Sequence, residues 1–415
     1  MSLFLAKPID SCMEKIRWQL LPAALFLLIL PLNHTIALRM LTLFLSAGIA
    51  FAYIRRHPTP AIPLKLPLAL WAGMALLSLT WSADPWFSLN EIKTEIGYGL
   101  LAFLTFYILT DSEKAFRLWL AAIMLGLLAT ILFALKDFWQ LGSWQGYEWD
   151  WQHGYVSYST YLVTVAPFLF YLLLNPSQNR FIRYLAWFTL PLFLFIAYVN
   201  ANRMFWLSFA IVASLFLGLA WMKVRHTALS RRITVIALVS LIVAGIAFAS
   251  VAKKKIAAPE STQAALSETF QQSDRYPIWH FWIERIAERP WTGVGFGRDL
   301  PHYTYPNPKE WAVLWFAHAH NLFLNYLLQL GVFGLAALLF LLGGIVQRFW
   351  IFYRASNNEL SMMGICGIAV TIAMVTKNMT DDLCARTDAL LFWALVGLLL
   401  GYGTRLKSTE ASGTA

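Results

Sequence analysis

Long runs of apolar residues follow one another along almost the whole chain, and they limit its possible folds more than any other feature. A helix crosses the hydrocarbon of a bilayer with about 20 apolar residues. Segments such as LLPAALFLLIL (Leu20–Leu30) do not alternate apolar and polar residues as the strands of a transmembrane barrel do. The sequence therefore predicts an all-α polytopic integral membrane protein of about 12 transmembrane helices. The apolar stretches lie near residues 18–32, 34–54, 66–82, 95–110, 115–136, 155–174, 183–201, 204–222, 233–252, 316–345, 360–377 and 388–404.

The composition agrees with a membrane protein. Hydrophobic residues make up 59% of the 415 residues and charged residues 13%, which is too apolar for an ordinary soluble domain. Lys7, Lys15 and Arg17 precede the first apolar stretch, as in a signal peptide, but no small-residue cleavage site follows. We therefore expect an uncleaved first helix and interpret residues 1–415 as a single polytopic membrane domain. The three cysteines are too few for a disulfide framework.

Lys and Arg residues are shared unevenly between the two sides of the predicted bundle. Cytoplasmic loops carry an excess of these residues. If the N-terminus is cytoplasmic, the inside segments collect most of them, including Arg55, Arg231 and Arg405. Both termini are therefore predicted to be cytoplasmic. The net charge of +10 follows from this bias and does not indicate nucleic-acid binding.

A long loop over residues 253–315 separates the ninth and tenth predicted spans, and the orientation puts it outside the cytoplasm. Loops of this length are usually functional. Its segment SDRYPIWHFWIERIAERPW predicts an amphipathic helix with Ser273 or Asp274 as its cap and Ile278 and Trp282 on one face. The turn WTGVGFG follows, in which alternating glycines allow a tight turn or a close approach, although idle turns show the same pattern.

Two arginines stand at the predicted membrane edge. Arg203, in VNANRMFW, lies between two apolar stretches, where a guanidinium is costly unless it reaches water or binds an anion. The alternative for Arg203 is a snorkelling interfacial anchor. Arg275 lies at the start of the amphipathic helix, where backbone amides already favour anions. Two guanidinium groups at one place would form a clamp for a phosphate or a diphosphate.

The segment HNLFLNYLLQLGVFG (His320–Gly334) begins an apolar helix with an imidazole and an amide. His318 and His320 raise the question of a metal. Residues two apart on a helix point to nearly opposite faces, and no third ligand follows at a helical spacing, so we expect no metal site. His320 is then either a catalytic group or a structural, hydrogen-bonded residue. Gly331 and Gly334 are predicted to bring two small residues onto one helix face for close packing.

The last outside loop, KNMTDDLCARTD (Lys377–Asp388), contains two adjacent acids. Asp381 and Asp382 either orient a histidine or neutralise the arginine pair, or they are solvated loop residues. For each acid taken singly the solvated interpretation is the simpler one.

Taken together, these residues resemble the signature of the bacterial O-antigen ligase family. That pattern is His, then Asn, Ser or Gln, nine residues, Gly, two residues, and Gly, Thr or Tyr, and this chain matches it with His320, Asn321, Gly331 and Gly334. The wider group of O-antigen ligases and polymerases is also similar between about Asn200 and Gly344. There the shared features are an edge arginine, a long outside loop and a glycine turn.

The resemblance implies a reaction that the residues alone do not name. Family members transfer a polysaccharide from an undecaprenyl diphosphate carrier to a sugar of the lipid A core, completing lipopolysaccharide on the periplasmic face of the bacterial inner membrane. They are glycosyltransferases that need no metal or other cofactor and invert the anomeric carbon. By this resemblance His320 is the general base, and Arg203 and Arg275 bind the diphosphate. Asn321, Gly331, Gly334 and either Asp381 or Asp382 would support them.

Three other functions stay open at this point. A polysaccharide polymerase or a protein O-oligosaccharyltransferase of the same group would use the same chemistry on another acceptor. A polysaccharide or lipid transporter belongs to a different class and also suits about 12 spans. Transporters typically show paired repeats with broken helices or charges inside their spans, and the sequence shows no repeat.

Overall fold

The computed structural model describes residues 17–141, 155–175, 180–200, 202–224, 228–255, 275–305, 318–380 and 386–413, and within these ranges it contains helices and no β-strand. The helices are α1 (Leu21–Ile29), α2 (Ile36–Ile54), α3 (Lys65–Leu77), α4 (Pro85–Glu91), α5 (Tyr98–Leu109), α6 (Glu113–Leu141), α7 (Tyr155–Leu174), α8 (Arg180–Val199), α9 (Arg203–Val224), α10 (Ala228–Lys255), α11 (Arg275–Glu288), α12 (Leu300–Thr304), α13 (Leu322–Tyr353), α14 (Asn358–Lys377) and α15 (Arg386–Gly413).

The described helices confirm the predicted all-α, multi-pass membrane architecture. Ten helical segments are long and apolar enough to cross a membrane, where α4, the turn after it and α5 count as one continuous segment (Pro85–Leu109). Two further apolar helices, Trp18–Ile29 and Lys65–Thr80, are shorter. They coincide with the first and third predicted stretches, so the prediction of about 12 spans corresponds to ten long helices and two short ones.

Hydrogen bonds at the helix ends show how neighbouring helices are arranged. α9 packs against α14. Lys223, near the end of α9, donates a hydrogen bond of 3.0 Å to the carbonyl oxygen of Ala355, just before α14 begins. The two helices are therefore antiparallel, and Arg203, the first residue of α9, lies at the end of the bundle where α14 finishes.

The two ends of the bundle differ in their side chains. His320 and the last residues of α14 lie at the same end, because the backbone N–H of Leu322 donates to the carbonyl of Asn378 (2.9 Å). We call this end the His320 end. At the opposite end Arg17 pairs with Asp111, and Arg405 donates to the carbonyls that end α5. Basic residues predicted to share one side of the membrane therefore do lie at one end of the bundle.

The two glycines of α13 do not have the predicted role. Gly331 has φ +63° and ψ −162°, a conformation that is essentially restricted to glycine, and it breaks the helix. A Cβ on Gly334 would lie 2.0 Å from the Cβ of Leu330 in the same helix. The expectation of one small face packed against a neighbouring helix was wrong, because residues on either side of a break no longer share a helix face.

Candidate functional site

His320 lies just before α13 and not on it. Asn321 is the N-cap of this helix, and its Oδ1 accepts hydrogen bonds from the backbone N–H groups of Phe323 (2.9 Å) and Leu324 (3.1 Å). His320 itself is partly exposed and has a left-handed backbone with φ +48°. Since Asn side chains are among the best helix caps, the His-Asn pair sets where the helix begins and leaves the imidazole outside it.

The end of α14 fixes the His320 segment from the other side. The Nδ2 of Asn321 donates to the carbonyl oxygen of Met379 at 2.8 Å. The neighbouring N–H of Leu322 bonds to Asn378, a fully buried residue. One asparagine therefore caps α13 and also ties it to the loop in which Asp381 and Asp382 follow, although those two acids lie outside the described residues.

The two histidines lie close together, contrary to the sequence prediction. We expected His318 and His320 to point to nearly opposite faces of a helix. The backbone at this point is irregular, and the imidazole rings are 4.2 Å apart between centroids. The prediction failed because it extended α13 back to residue 316, whereas the Asn321 cap begins the helix at Leu322.

The predicted amphipathic helix of the long loop is confirmed as α11, and it packs on the bundle beside His320. Ile278 and Trp282 are buried in a cluster that includes Ala319. The indole N–H of Trp279 donates to the carbonyl oxygen of Ala319 at 2.9 Å. The residue between the two histidines is thus held by α11.

The alternating glycines form a turn that docks into the break of α13. Gly293, Gly295 and Gly297 all have positive φ, between +64° and +141°. A Cβ on Gly293 would approach the backbone of Gln329 to 2.4 Å. The sequence left open whether this glycine pattern has a structural role. The structure shows that the turn needs glycine both for its backbone angles and for its close approach to the backbone of α13.

Backbone hydrogen bonds join the glycine turn to α13. The N–H of Val294 donates to the carbonyl of Leu328 (3.0 Å), and the N–H of Gly295 donates to that of Gln329 (2.8 Å). These carbonyls precede Gly331, whose break leaves them available. The side chain of Gln329 also accepts from the N–H of Gly297 (2.9 Å). His320 precedes the first residue of α13, and the glycine turn docks just before Gly331. The first part of α13 therefore links the histidine to the docked loop.

The structure brings both predicted arginines to the His320 end by their backbone positions. Arg203 is the partly exposed first residue of α9, next to the cap Asn202, whose Oδ1 accepts from the N–H of Phe205 (3.1 Å). Arg275 is the first residue of α11, one helical turn before Trp279. The side chain of Arg275 and the proposed caps Ser273 and Asp274 lie outside what the structure describes.

An acid that sequence reasoning missed lies beside the histidines. The Oδ1 of Asp299 is 3.6 Å from the Nδ1 of His318 and 3.5 Å from the Nε of Arg298. Burial alone would raise the pKa of Asp299, but His318 and Arg298 favour the carboxylate and hold this pKa below its usual value. Asp299 is therefore charged throughout the neutral range. Nothing in the sequence spacing singles it out, because the docked glycine turn alone brings it to His318.

A cavity of about 560 Å³ adjoins this group at the His320 end. Arg298 lines it, together with residues from the turn between α1 and α2, from the start of α2, from the end of α4 and the start of α5, and from the starts of α7 and α15. Sequence reasoning did not find this cavity, since its walls come from segments far apart along the chain.

Fold and site define a class: a polytopic helical membrane protein whose long loop packs around a histidine at the end of the bundle. Residues 188–339 match the family model described as O-antigen ligase. This segment is similar to the O-antigen ligase family, a group of glycosyl-transferring ligases and polymerases, and the resemblance to this family that the sequence predicted is confirmed by the match. No curated protein matches the chain.

Proposed function

We propose that this protein is an O-antigen ligase that transfers polysaccharide from undecaprenyl diphosphate to the lipid A core at the periplasmic face of the bacterial inner membrane. The observation that carries the proposal is the position of His320. It precedes a capped helix, is partly exposed, and lies inside the matched segment with the docked loop around it.

In the proposed reaction His320 is the general base. The acceptor hydroxyl oxygen attacks the anomeric carbon of the donor sugar, and His320 takes the hydroxyl proton. The bond between the anomeric carbon and the diphosphate oxygen breaks, and its electron pair leaves with undecaprenyl diphosphate. Attack from the face opposite the leaving group inverts the anomeric carbon. The energy comes from the glycosyl diphosphate bond, so neither a nucleotide nor a metal takes part.

The proposed site for the leaving group is formed by Arg203 and Arg275. Guanidinium groups bind phosphate oxygens through paired hydrogen bonds, and they stabilise the negative charge that grows as the bond breaks. Their helix starts support this role, because N–H groups at a helix N-terminus favour anions. Arg203 begins α9 and Arg275 begins α11, and both starts lie at the His320 end. Asp381 and Asp382 stay candidates for a supporting acid.

The experiment is a lipopolysaccharide gel from a strain that lacks this protein, complemented with wild type or His320→Ala. We expect the null strain to show lipid A core without long chains while carrier-linked polysaccharide accumulates. Wild type restores the ladder, and His320→Ala does not, at equal membrane levels. The matched control is His280→Ala, since His280 is an exposed histidine on α11 that faces Glu284 (3.5 Å) and not the site.

Other outcomes identify the alternatives. Cores capped by a single repeat in the null strain would indicate a polymerase. Loss of sugar from a secreted or surface protein, with lipopolysaccharide intact, would indicate a protein O-oligosaccharyltransferase. Binding of the carrier-linked donor without any cleavage would point to transport. Full rescue by His320→Ala would show that this histidine has a structural role and is not the general base, which would refute the mechanism.

A further inference from the structure

The 560 Å³ cavity at the His320 end has no role in the mechanism above. Its volume falls within the range of about 300–1,000 Å³ that is typical of small-molecule sites. Neither His320 nor Arg203 nor Asn321 lines it. The cavity is therefore large enough to bind a ligand of its own beside the proposed reaction centre.

Charged side chains in the cavity wall favour an anion. Arg39, Arg298 and Arg386 line it, against two acids, Glu91 and Asp388. Arg39 is only 3% exposed. It donates one hydrogen bond to the hydroxyl of Thr387 (2.6 Å), while its Nε has no partner among the described residues. A buried guanidinium with a donor to spare is costly unless an acceptor reaches it, and phosphate oxygens are suitable acceptors.

The rest of the wall suits a sugar. Sugar rings have hydroxyl rims that need hydrogen bonds and apolar faces that pack against aromatic rings. The cavity offers both kinds of surface, because hydroxyl and amide side chains share it with leucines and isoleucine. The polar uncharged residues are Asn33, Asn90, Thr94, Tyr98, Ser157, Tyr161 and Thr387. Guanidinium groups and a sugar-binding wall together fit a phosphorylated sugar.

The cavity and α11 each reach the two histidines through a contact of their own. Arg298, in the cavity wall, contacts Asp299, which contacts His318, whose ring is 4.2 Å from that of His320. Separately, α11 holds Ala319 through Trp279, one turn after Arg275. A transferase that joins two substrates needs a site for each, with the base between them.

We propose that this cavity binds a phosphorylated sugar of the acceptor glycolipid, so that its free hydroxyl approaches His320 from the side of Arg298 and Asp299. This inference rests on the proposed function for the identity of the acceptor. Arg298 and Arg386 hold the phosphate, with Arg39 behind them, and the hydroxyl-lined wall selects the sugar.

The test measures binding by the full-length protein in lipid nanodiscs. Three probes are used: the lipid A core glycolipid from cells lacking this protein, the same glycolipid after enzymatic removal of its phosphates, and undecaprenyl diphosphate. The variants are Arg298→Gln and Arg386→Gln. The matched control is Arg289→Gln, since Arg289 is an exposed arginine just after α11 that does not line the cavity.

Each arginine variant is expected to weaken binding of the intact glycolipid about tenfold or more, the loss of one charged hydrogen bond. Binding of the dephosphorylated glycolipid and of undecaprenyl diphosphate stays within about twofold of wild type. Arg289→Gln binds all three probes like wild type. This pattern would support the cavity site even if His320→Ala retained ligation, so the two proposals are tested separately.

Three results would overturn the inference. Equal losses for the phosphorylated and dephosphorylated glycolipids would show that the cavity does not recognise phosphate. Weaker binding of undecaprenyl diphosphate alone would assign the cavity to the donor. Unchanged binding of every probe in both arginine variants would show that the cavity binds none of them.

Discussion

Asn321 makes two structural contacts next to the proposed catalytic histidine. Its oxygen caps α13, and its amide nitrogen donates to Met379 beyond the end of α14. His320 precedes it and has a left-handed backbone, which a non-glycine residue adopts only when its surroundings hold it there. The orientation of the imidazole therefore depends on the asparagine that follows it.

We predict that Asn321→Ala costs about 0.5–2 kcal/mol of stability through the lost cap. It should also lower the rate of ligation about tenfold to a hundredfold, because a displacement of about 1 Å at a reacting group has effects of that size. The measurements are thermal unfolding in detergent and transfer of carrier-linked polysaccharide to lipid A core by membranes.

The control for Asn321→Ala is Asn357→Ala. Asn357 caps α14 in the same way, with its Oδ1 accepting from the N–H groups of Glu359 and Leu360, but it lies at the opposite end of the bundle. We expect a similar loss of stability and normal ligation. Equal losses of ligation in both variants would mean that Asn321 acts only through helix stability.

Sequence reasoning found His320 and Asn321 but not Asp299 or His318 as part of the site. His320 and Asn321 are adjacent and match a family pattern, so the sequence alone is enough to identify them as candidates. Asp299 reaches His318 only because the glycine turn docks on α13. A contact made through tertiary docking leaves no periodic signal, and for this reason the sequence missed it.

At the scale of elements, the break in α13 is what attaches the long loop to the membrane bundle. Gly331 interrupts the helix, and the carbonyls before it accept hydrogen bonds from the glycine turn. The sequence predicted both the helix and the loop helix α11, since each has a clear apolar periodicity. It could not predict the break, because glycine occurs in membrane helices both with and without one.

We predict that Gly331→Ala lowers the melting temperature and detaches the glycine turn. A Cβ at residue 331 would lie 2.2 Å from the backbone of Trp291, and the backbone conformation alone costs about 1–3 kcal/mol for other residues. Hydrogen exchange at the amides of Val294 and Gly295 should become faster. The measurements are thermal unfolding and hydrogen exchange by mass spectrometry.

Gly343→Ala is the matched control in the same helix. A Cβ at residue 343 meets no atom within 4 Å, and alanine favours a helix over glycine by up to about 1 kcal/mol. We expect unchanged or slightly higher stability and unchanged exchange in the turn. If both alanine variants behaved alike, the break at Gly331 would not be what holds the loop.

At the scale of the whole molecule, the two ends of the bundle differ in their side chains. Basic side chains such as Arg17 and Arg405 pair with acids or carbonyls at one end. The other end has His320, the cavity and the docked loop. The excess of basic residues predicts that their end faces the cytoplasm, because such residues are retained there during insertion. With this orientation, the reaction centre that we propose at His320 is expected to face the periplasm, where the proposed carrier lipid and acceptor glycolipid could both approach it from the bilayer.

This orientation predicts the labelling of two engineered cysteines by a membrane-impermeant maleimide. In a protein whose native cysteines are replaced by alanine, Ile283→Cys on α11 should react in cells with only the outer membrane opened, since this position is 53% exposed. Ser408→Cys, exposed near the end of α15, should react only after the inner membrane is disrupted. The reverse pattern would move His320 to the cytoplasmic side, where the proposed reaction has no acceptor. Reaction at both positions in intact spheroplasts, with a cytoplasmic marker still protected, would contradict a single orientation and with it the charge argument.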